Sequence, residues 1–402
     1  VNPGSPVRRP HLTAAIAALG VACIVLASGL VRCRSVEARY VHRLATDFSD
    51  AKLQGVALQK AAFAEDDLLL LYGSSELLKD IPNKASDFFY DYPTGFRVFP
   101  VGKPGTTALA VMQKIAALGP AVHGRKVAIS LSPSSYFAEG VDPGYYAGNF
   151  SEAQATQIIF GEDISHELKR DTARRMLAYP RTIEDEWILH FGVARLARDT
   201  MLDRLLFAAI LPLGRLDAWI DRVQDHFVAA DYIDDLKLRE EEATPRSIRK
   251  LNWDEILKRA EVVAKAMRAK AKKAPAPALV RHPHGSEDKA FLRTLAEADE
   301  WTDFELLLRV LDELGAKPLI LSMPVHGQDL EAMGVSADAR HAYLARLHDL
   351  TARHRVPLVY YQQEEDDPNF FYDNLDHLGA KGWIFYNKTL DDFYHDRLTT
   401  NL

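Results

Sequence analysis

The stretch DDLLLLYGSSELLKD, Asp66 to Asp80, runs apolar without interruption and then stops at Gly73, Ser74 and Ser75. It reads as a buried strand that ends in a turn. Glycine and serine are turn formers in their own right, so a plain turn is one reading. The other is that the turn presents a serine nucleophile at the carboxyl edge of an open α/β sheet, where such folds place their ligands. The tetrapeptide alone does not choose between them.

The flanking sequence has the same grammar. FRVFPV, followed by Gly102 and Gly105, reads as a short strand and a turn, and a helix is expected from about Thr107 to Leu118. RKVAISLSP (125–133) alternates Val127, Ile129 and Leu131 before Pro133 ends the run. Strand, turn, helix, strand is the pattern of a parallel α/β sheet. Farther on, LILSMP and VPLVYY read as two more strands, with helices at about 336–353 and 381–395. The middle of the chain differs. Residues 151–274 are strand-poor, with a capping-box-like start at Thr182 and Asp185. Leu216, Trp219, Ile220, Val223 and Phe227 recur on one face of a helix. The block closes in RAKAKKAPAPALVRHPHG, a basic, Pro- and Ala-rich linker.

The 402 residues are 48% hydrophobic and 26% charged, which excludes wholesale disorder. A net charge of −7 gives no basic excess and argues against a nucleic-acid partner. Two cysteines, Cys23 and Cys33, support neither a disulfide framework nor a zinc site, and no H-x-x-x-H pair suggests a metal. Leu12 to Val31 is 20 residues without a charge, long enough to span a bilayer core. It lacks an A-x-A-like exit, and Cys33 follows Arg32, which argues against a lipoprotein; an uncleaved signal anchor is expected. Arginines flank both ends, so charge does not set its orientation.

Catalysis-capable side chains collect after the strands. Ser74, Ser75 and Glu76 follow the first; Ser132, Ser134 and Ser135 the third; His326 the fourth; and Asp373, Asn374, Asp376 and His377 the fifth. Hydroxyl, imidazole and carboxylate are what serine-based acyl transfer needs: the imidazole takes the hydroxyl proton and the carboxylate orients the ring. Each has a plainer reading. Glu76 suits the first turn of a helix better than general-base work. His326 suits a wall position better than catalysis, and Trp383 suits the core.

YGSSELL, VGKPGTT, PHGSEDKAFL, LGAKPLILSMPVHG and FFYDNLDHLGAKGWIFYNKTLDDFYH, in this order after an amino-terminal anchor, resemble the DltD family of the D-alanylation pathway. The resemblance covers most of residues 12–397 and is weakest in the helical middle. It implies an SGNH-hydrolase-like α/β domain: a parallel sheet flanked by helices, with a helical insertion and an amino-terminal transmembrane helix. The layout expected is a tail at 1–11, the anchor at 12–31, a polar stalk at 32–66, α/β parts at 67–150 and 281–402, and the insertion and linker at 151–280. Single-pass attachment to the cell membrane, with the bulk of the chain extracytoplasmic, follows from the same resemblance.

The resemblance also implies roles. Ser75 is the expected nucleophile, His377 its base, and Gly105, with the Ser75 N–H, part of the oxyanion hole. No cofactor is expected. The implied activity is D-alanyl transfer to a cell-envelope polymer through an acyl-serine, with a membrane-bound O-acyltransferase and a D-alanyl carrier protein pathway as partners. Two departures stand out. Ser134 and Ser135 occupy the region where SGNH enzymes carry an oxyanion asparagine. The family's acid, three residues before its histidine, falls on Asn374; Asp373 is preferred here through a one-residue insertion, with Asp376 the alternative. An esterase or thioesterase using the same triad remains open, as does a non-catalytic subunit.

Overall fold

A computed structural model of the chain describes residues 10–138, 140–237, 248–271, 281–372 and 377–398. It has five parallel strands: β1 (Leu68–Tyr72), β2 (Arg97–Val101), β3 (Lys126–Leu131), β4 (Lys317–Ser322) and β5 (Leu358–Tyr360), in the order β2-β1-β3-β4-β5. Every neighbouring pair is parallel. The fold is therefore α/β, as expected, and consistent with an SGNH-like domain. The helices used below are α1 (Pro10–Tyr40), α2 (Ala57–Ala64), α3 (Ala85–Asp91), α4 (Ala108–Leu118), α5 (Glu152–Phe160) and α6 (Trp187–Arg198). After them come α7 (Met201–Asp235), α8 (Trp253–Ala271), α9 (Glu300–Leu314), α10 (Ala337–Arg353) and α11 (Ala380–Tyr394).

The apolar run in β1 follows from two covered faces. Leu68, Leu70 and Tyr72 point into a core shared with α2, α4, α9 and α10, while Leu69 and Leu71 point into a second core with α3, α8 and α11. A strand buried on both sides reads as a continuous apolar run rather than an alternating one. β3 is divided the same way: Val127, Ile129 and Leu131 face the first core and Ala128 the second.

Strand order matters for the site. Between β1 and β3 the chain's direction of travel across the sheet reverses, because β2 lies outside β1. Open parallel sheets bind their ligands at the carboxyl ends of strands beside such a reversal. The turn after β1 stands there.

Within the expected polar stalk at 32–66, residues 32–40 continue α1, and residues 41–63 pack into the domain instead of standing off it. Val41, Leu44, Leu53, Leu58 and Phe63 are buried in the first core. Lys52 is buried too, its Nζ donating to the carbonyls of Leu44, Ala45 and Asp47 at 2.9, 3.1 and 2.6 Å. Burial holds its pKa well below the usual lysine value. Between β3 and β4 the described residues contain helices and no strand. Thr182 starts no α-helix: it ends a short 3-10 turn, its hydroxyl donating to Tyr179 O, and α6 begins at Trp187. Much of the basic linker lies outside the described residues. The first 20 or so residues of α1 are apolar enough to cross a membrane, and their most apolar window has no buried residue.

Candidate active site

Gly73 continues the β1–β2 ladder, its N–H donating to Val101 O at 3.2 Å. The chain then turns into a 3-10 helix, Ser75–Leu77. Glu76 is fully buried and folds back, so that Oε1 accepts the Ser74 N–H at 3.0 Å. A side chain at Gly73 would block this: its Cβ would stand 2.3 Å from that carboxylate oxygen. The carboxylate expected to sit in a helix first turn therefore shapes the turn itself, which leaves the half-buried Ser75 outward.

His377 arrives from the other end of the chain. Tyr372 N donates to His377 O at 2.8 Å, Phe371 and Leu378 form an antiparallel bridge, and Gly379 N donates to Phe370 O at 2.7 Å. Gly379 and Gly382 allow this backbone to press onto Phe370 and Phe371; a Cβ at either would come within 2.8 Å of a carbonyl oxygen. Lys381, in the first turn of α11, donates to Glu364 and Asp367 at 2.6 and 2.7 Å. The acidic stretch after β5 thus anchors the base-bearing segment. Asn83 ties the Ser75 loop to it, donating to Ala380 O at 3.1 Å and accepting from Asn387 at 2.8 Å.

The outcome is a contact of 2.8 Å between Ser75 Oγ and His377 Nε2, with His377 8% exposed. This is the hydrogen bond that lets an imidazole take a serine proton. Asp373 and Asp376, the two candidate acids, lie outside the described residues.

The loop after β2 abuts the serine turn. A Cβ on Gly102 would fall 1.9 Å from Gly73 O, so only glycine permits the approach. Gly105 has φ +76°, in the left-handed region, and the Tyr145 ring occupies the place a Cβ would need. Asn149 braces this loop. Its amide donates to Pro104 O at 3.1 Å and Tyr145 O at 3.0 Å, and its carbonyl accepts from the Thr106 hydroxyl at 2.6 Å. Sequence reasoning missed Asn149, because nothing local in YYAGNFS marks it as buried. It also missed Glu300, whose Oε1 accepts the Ala108 N–H at 2.7 Å and so caps α4 just beyond the Gly105 loop. Burial pushes the Glu300 carboxyl up to about 8.

Ser132 and Ser134 hydroxyls lie 2.8 Å apart after β3. His326 caps the helix Gly327–Ala332, its Nδ1 accepting from Asp329 N at 3.3 Å, and its ring packs 4.6 Å from Phe371. Burial lowers its pKa. It is a wall residue behind the His377 segment. Trp383 is fully buried. Among the described residues one group, His42, Glu65 and Asp67, gathers metal-ligand atoms within 4.8 Å of one another. It lies before β1, at the opposite edge of the sheet from Ser75, and His42 already shares a 2.7 Å contact with Asp67.

The family model described as DltD protein matches residues 45–395. The chain belongs to the DltD family. It is 25% identical to Protein DltD of Bacillus subtilis (strain 168) over 365 residues, covering 88% of this chain and 89% of that protein. It is 23% identical to Protein DltD of Staphylococcus aureus (strain NCTC 8325 / PS 47) over 375 residues, covering 90% and 89%. A shorter match, 29% over 148 residues, is to Protein DltD of Lacticaseibacillus rhamnosus, covering 37% and 34%. Membership of the DltD family assigns the chain to the D-alanylation pathway, and the matched range includes both Ser75 and His377.

Proposed function

We propose that this DltD-family chain transfers a D-alanyl group to a hydroxyl of a cell-envelope polymer through an ester on Ser75. The observation that carries the reading is the 2.8 Å contact between Ser75 Oγ and His377 Nε2 at the carboxyl edge of the sheet. In the first step Oγ attacks the activated acyl carbonyl while His377 takes its proton, then passes it to the departing group. In the second, His377 takes the proton of the acceptor hydroxyl, which attacks the ester carbonyl and frees Ser75, and the proton returns to Oγ. Asp373 orients the ring. Gly105 and the Ser75 N–H donate to the oxyanion, which is where catalysis of this type gains most.

The apolar run of α1 anchors the chain in the membrane, with the sheet on the extracytoplasmic side. A membrane-bound O-acyltransferase and the D-alanyl carrier protein pathway supply the acyl group. The test is the base-labile D-alanine on the envelope of cells carrying the full chain or its Ser75→Ala variant at equal abundance. Loss to background with Ser75→Ala is expected. Wild-type levels with that variant would favour a non-catalytic subunit. Release of free D-alanine by the purified chain, with no acceptor preference, would favour an esterase.

A further inference from the structure

The long helix α7 is apolar on its outer face. At 3.6 residues per turn, Leu202, Leu205, Leu213, Leu216, Ile220 and Phe227 fall within an arc of about 80° along its length. Such an arc normally faces a core. Here all six are between 38% and 65% exposed. The helix is held to the body by other faces. Gly214 and Ala218 are buried, with the Phe160 ring of α5 against Gly214. Asp225 accepts the N–H groups of Val56 and Ala57 at the start of α2, both at 2.7 Å.

The carboxyl-terminal end of the stripe meets the apolar helix α1. The Phe227 ring lies against Gly29: a Cβ there would be 2.9 Å from Phe227 Cζ. Gly29 is inside the uncharged run Leu12–Val31. Around this contact, Arg32 reaches Asp234 at 3.4 Å and His226 reaches Glu37 at 2.7 Å. The stripe is therefore continuous with the segment that carries the chain into the bilayer. None of its six side chains can form a hydrogen bond, so water is a poor cover for it and lipid a good one.

We propose that α7 lies along the outer surface of the bilayer with this stripe set among headgroups and upper acyl chains, as interfacial amphipathic helices do. This rests on the reading of α1 as a membrane anchor. Membrane attachment then has two elements, α1 through the bilayer and α7 along it, and α7 fixes how the body is presented to the membrane.

The test uses the full chain in liposomes, with Cys23 and Cys33 replaced and one new cysteine carrying an environment-sensitive fluorophore. The sites are Leu216→Cys and Leu205→Cys on the stripe, Arg215→Cys beside it, and Ile24→Cys in α1. Lipids with a shallow spin label are the quencher for the α7 sites, and lipids with a label deep in the acyl chain for position 24. Most of the emission is expected to be lost at positions 205, 216 and 24, and little at 215. Quenching at 24 but none at 205 and 216 would overturn the proposal while leaving the anchor intact, and would assign the stripe to a protein partner. No quenching at 24 would remove the anchor reading and the proposal together.

Discussion

The hydroxyl of Thr106 donates to the side-chain carbonyl of Asn149 at 2.6 Å, and the amide end of the same side chain holds Pro104 O. One buried asparagine therefore grips the Gly105 loop on both sides of the glycine. Asn149→Ala leaves the Thr106 hydroxyl and two carbonyls without this partner, at a cost of about 1–3 kcal/mol in stability. If Gly105 donates to the oxyanion, acylation of Ser75 slows by about 10²-fold, as when one such donor is lost. Stopped-time labelling at a temperature where the variant is folded measures this. An unchanged rate would remove Gly105 from the oxyanion hole.

Gly102→Ala is expected to be among the most damaging small substitutions in the chain. Its Cβ would sit 1.9 Å from the Gly73 carbonyl, and backbone cannot swing away as a long side chain can. A loss on the order of 3 kcal/mol or more is expected, together with loss of Ser75 reactivity. Gly148→Ala is the control: an added Cβ there meets nothing within 4 Å. Thermal unfolding of the two variants should separate them widely.

Glu300 sets a pH dependence. Its carboxyl, held near 8 by burial, stays protonated in the folded chain at pH values where the unfolded chain has ionised it. Between about pH 4.5 and 8 the folded state binds the extra proton, so this group's stabilisation is greatest at the acid end and is lost as pH rises. Glu300→Gln keeps an acceptor for the Ala108 N–H and cannot ionise. Relative to the variant, the wild type should lose stability steadily from pH 5 to 8. Parallel denaturation curves for the two would contradict this.

The fold was largely legible because its strands are short and apolar on both faces. Leu68–Tyr72 and Lys126–Leu131 fall inside the runs that announce them. β5 was not so clear: only Leu358–Tyr360 pairs, and all three residues are half-buried, so the six-residue run overstates it. The face of α7 with Leu216, Ile220 and Phe227 was correctly read as one side of a helix. Periodicity could not say that the face looks outward, since core and lipid select the same pattern.

Of the site, Ser75, His377 and their pairing were expected from the family resemblance, whereas the scaffold that makes the pairing, strand order together with Asn83, Gly379 and Lys381 bridging distant segments, was not legible. Asn149 and Glu300 act through backbone groups of a loop far from them in sequence. Side chains of that kind leave no periodic or local signal.

Ser75 as an activated nucleophile is the central claim, and covalent labelling tests it most directly. The purified full chain is treated with a fluorophosphonate, and modified peptides are read by mass spectrometry beside Ser75→Ala and His377→Ala. The account predicts modification of the wild type at Ser75 and none in either variant. A folded wild-type chain that remains unmodified at Ser75, or a His377→Ala variant labelled as fast as the wild type, would contradict it.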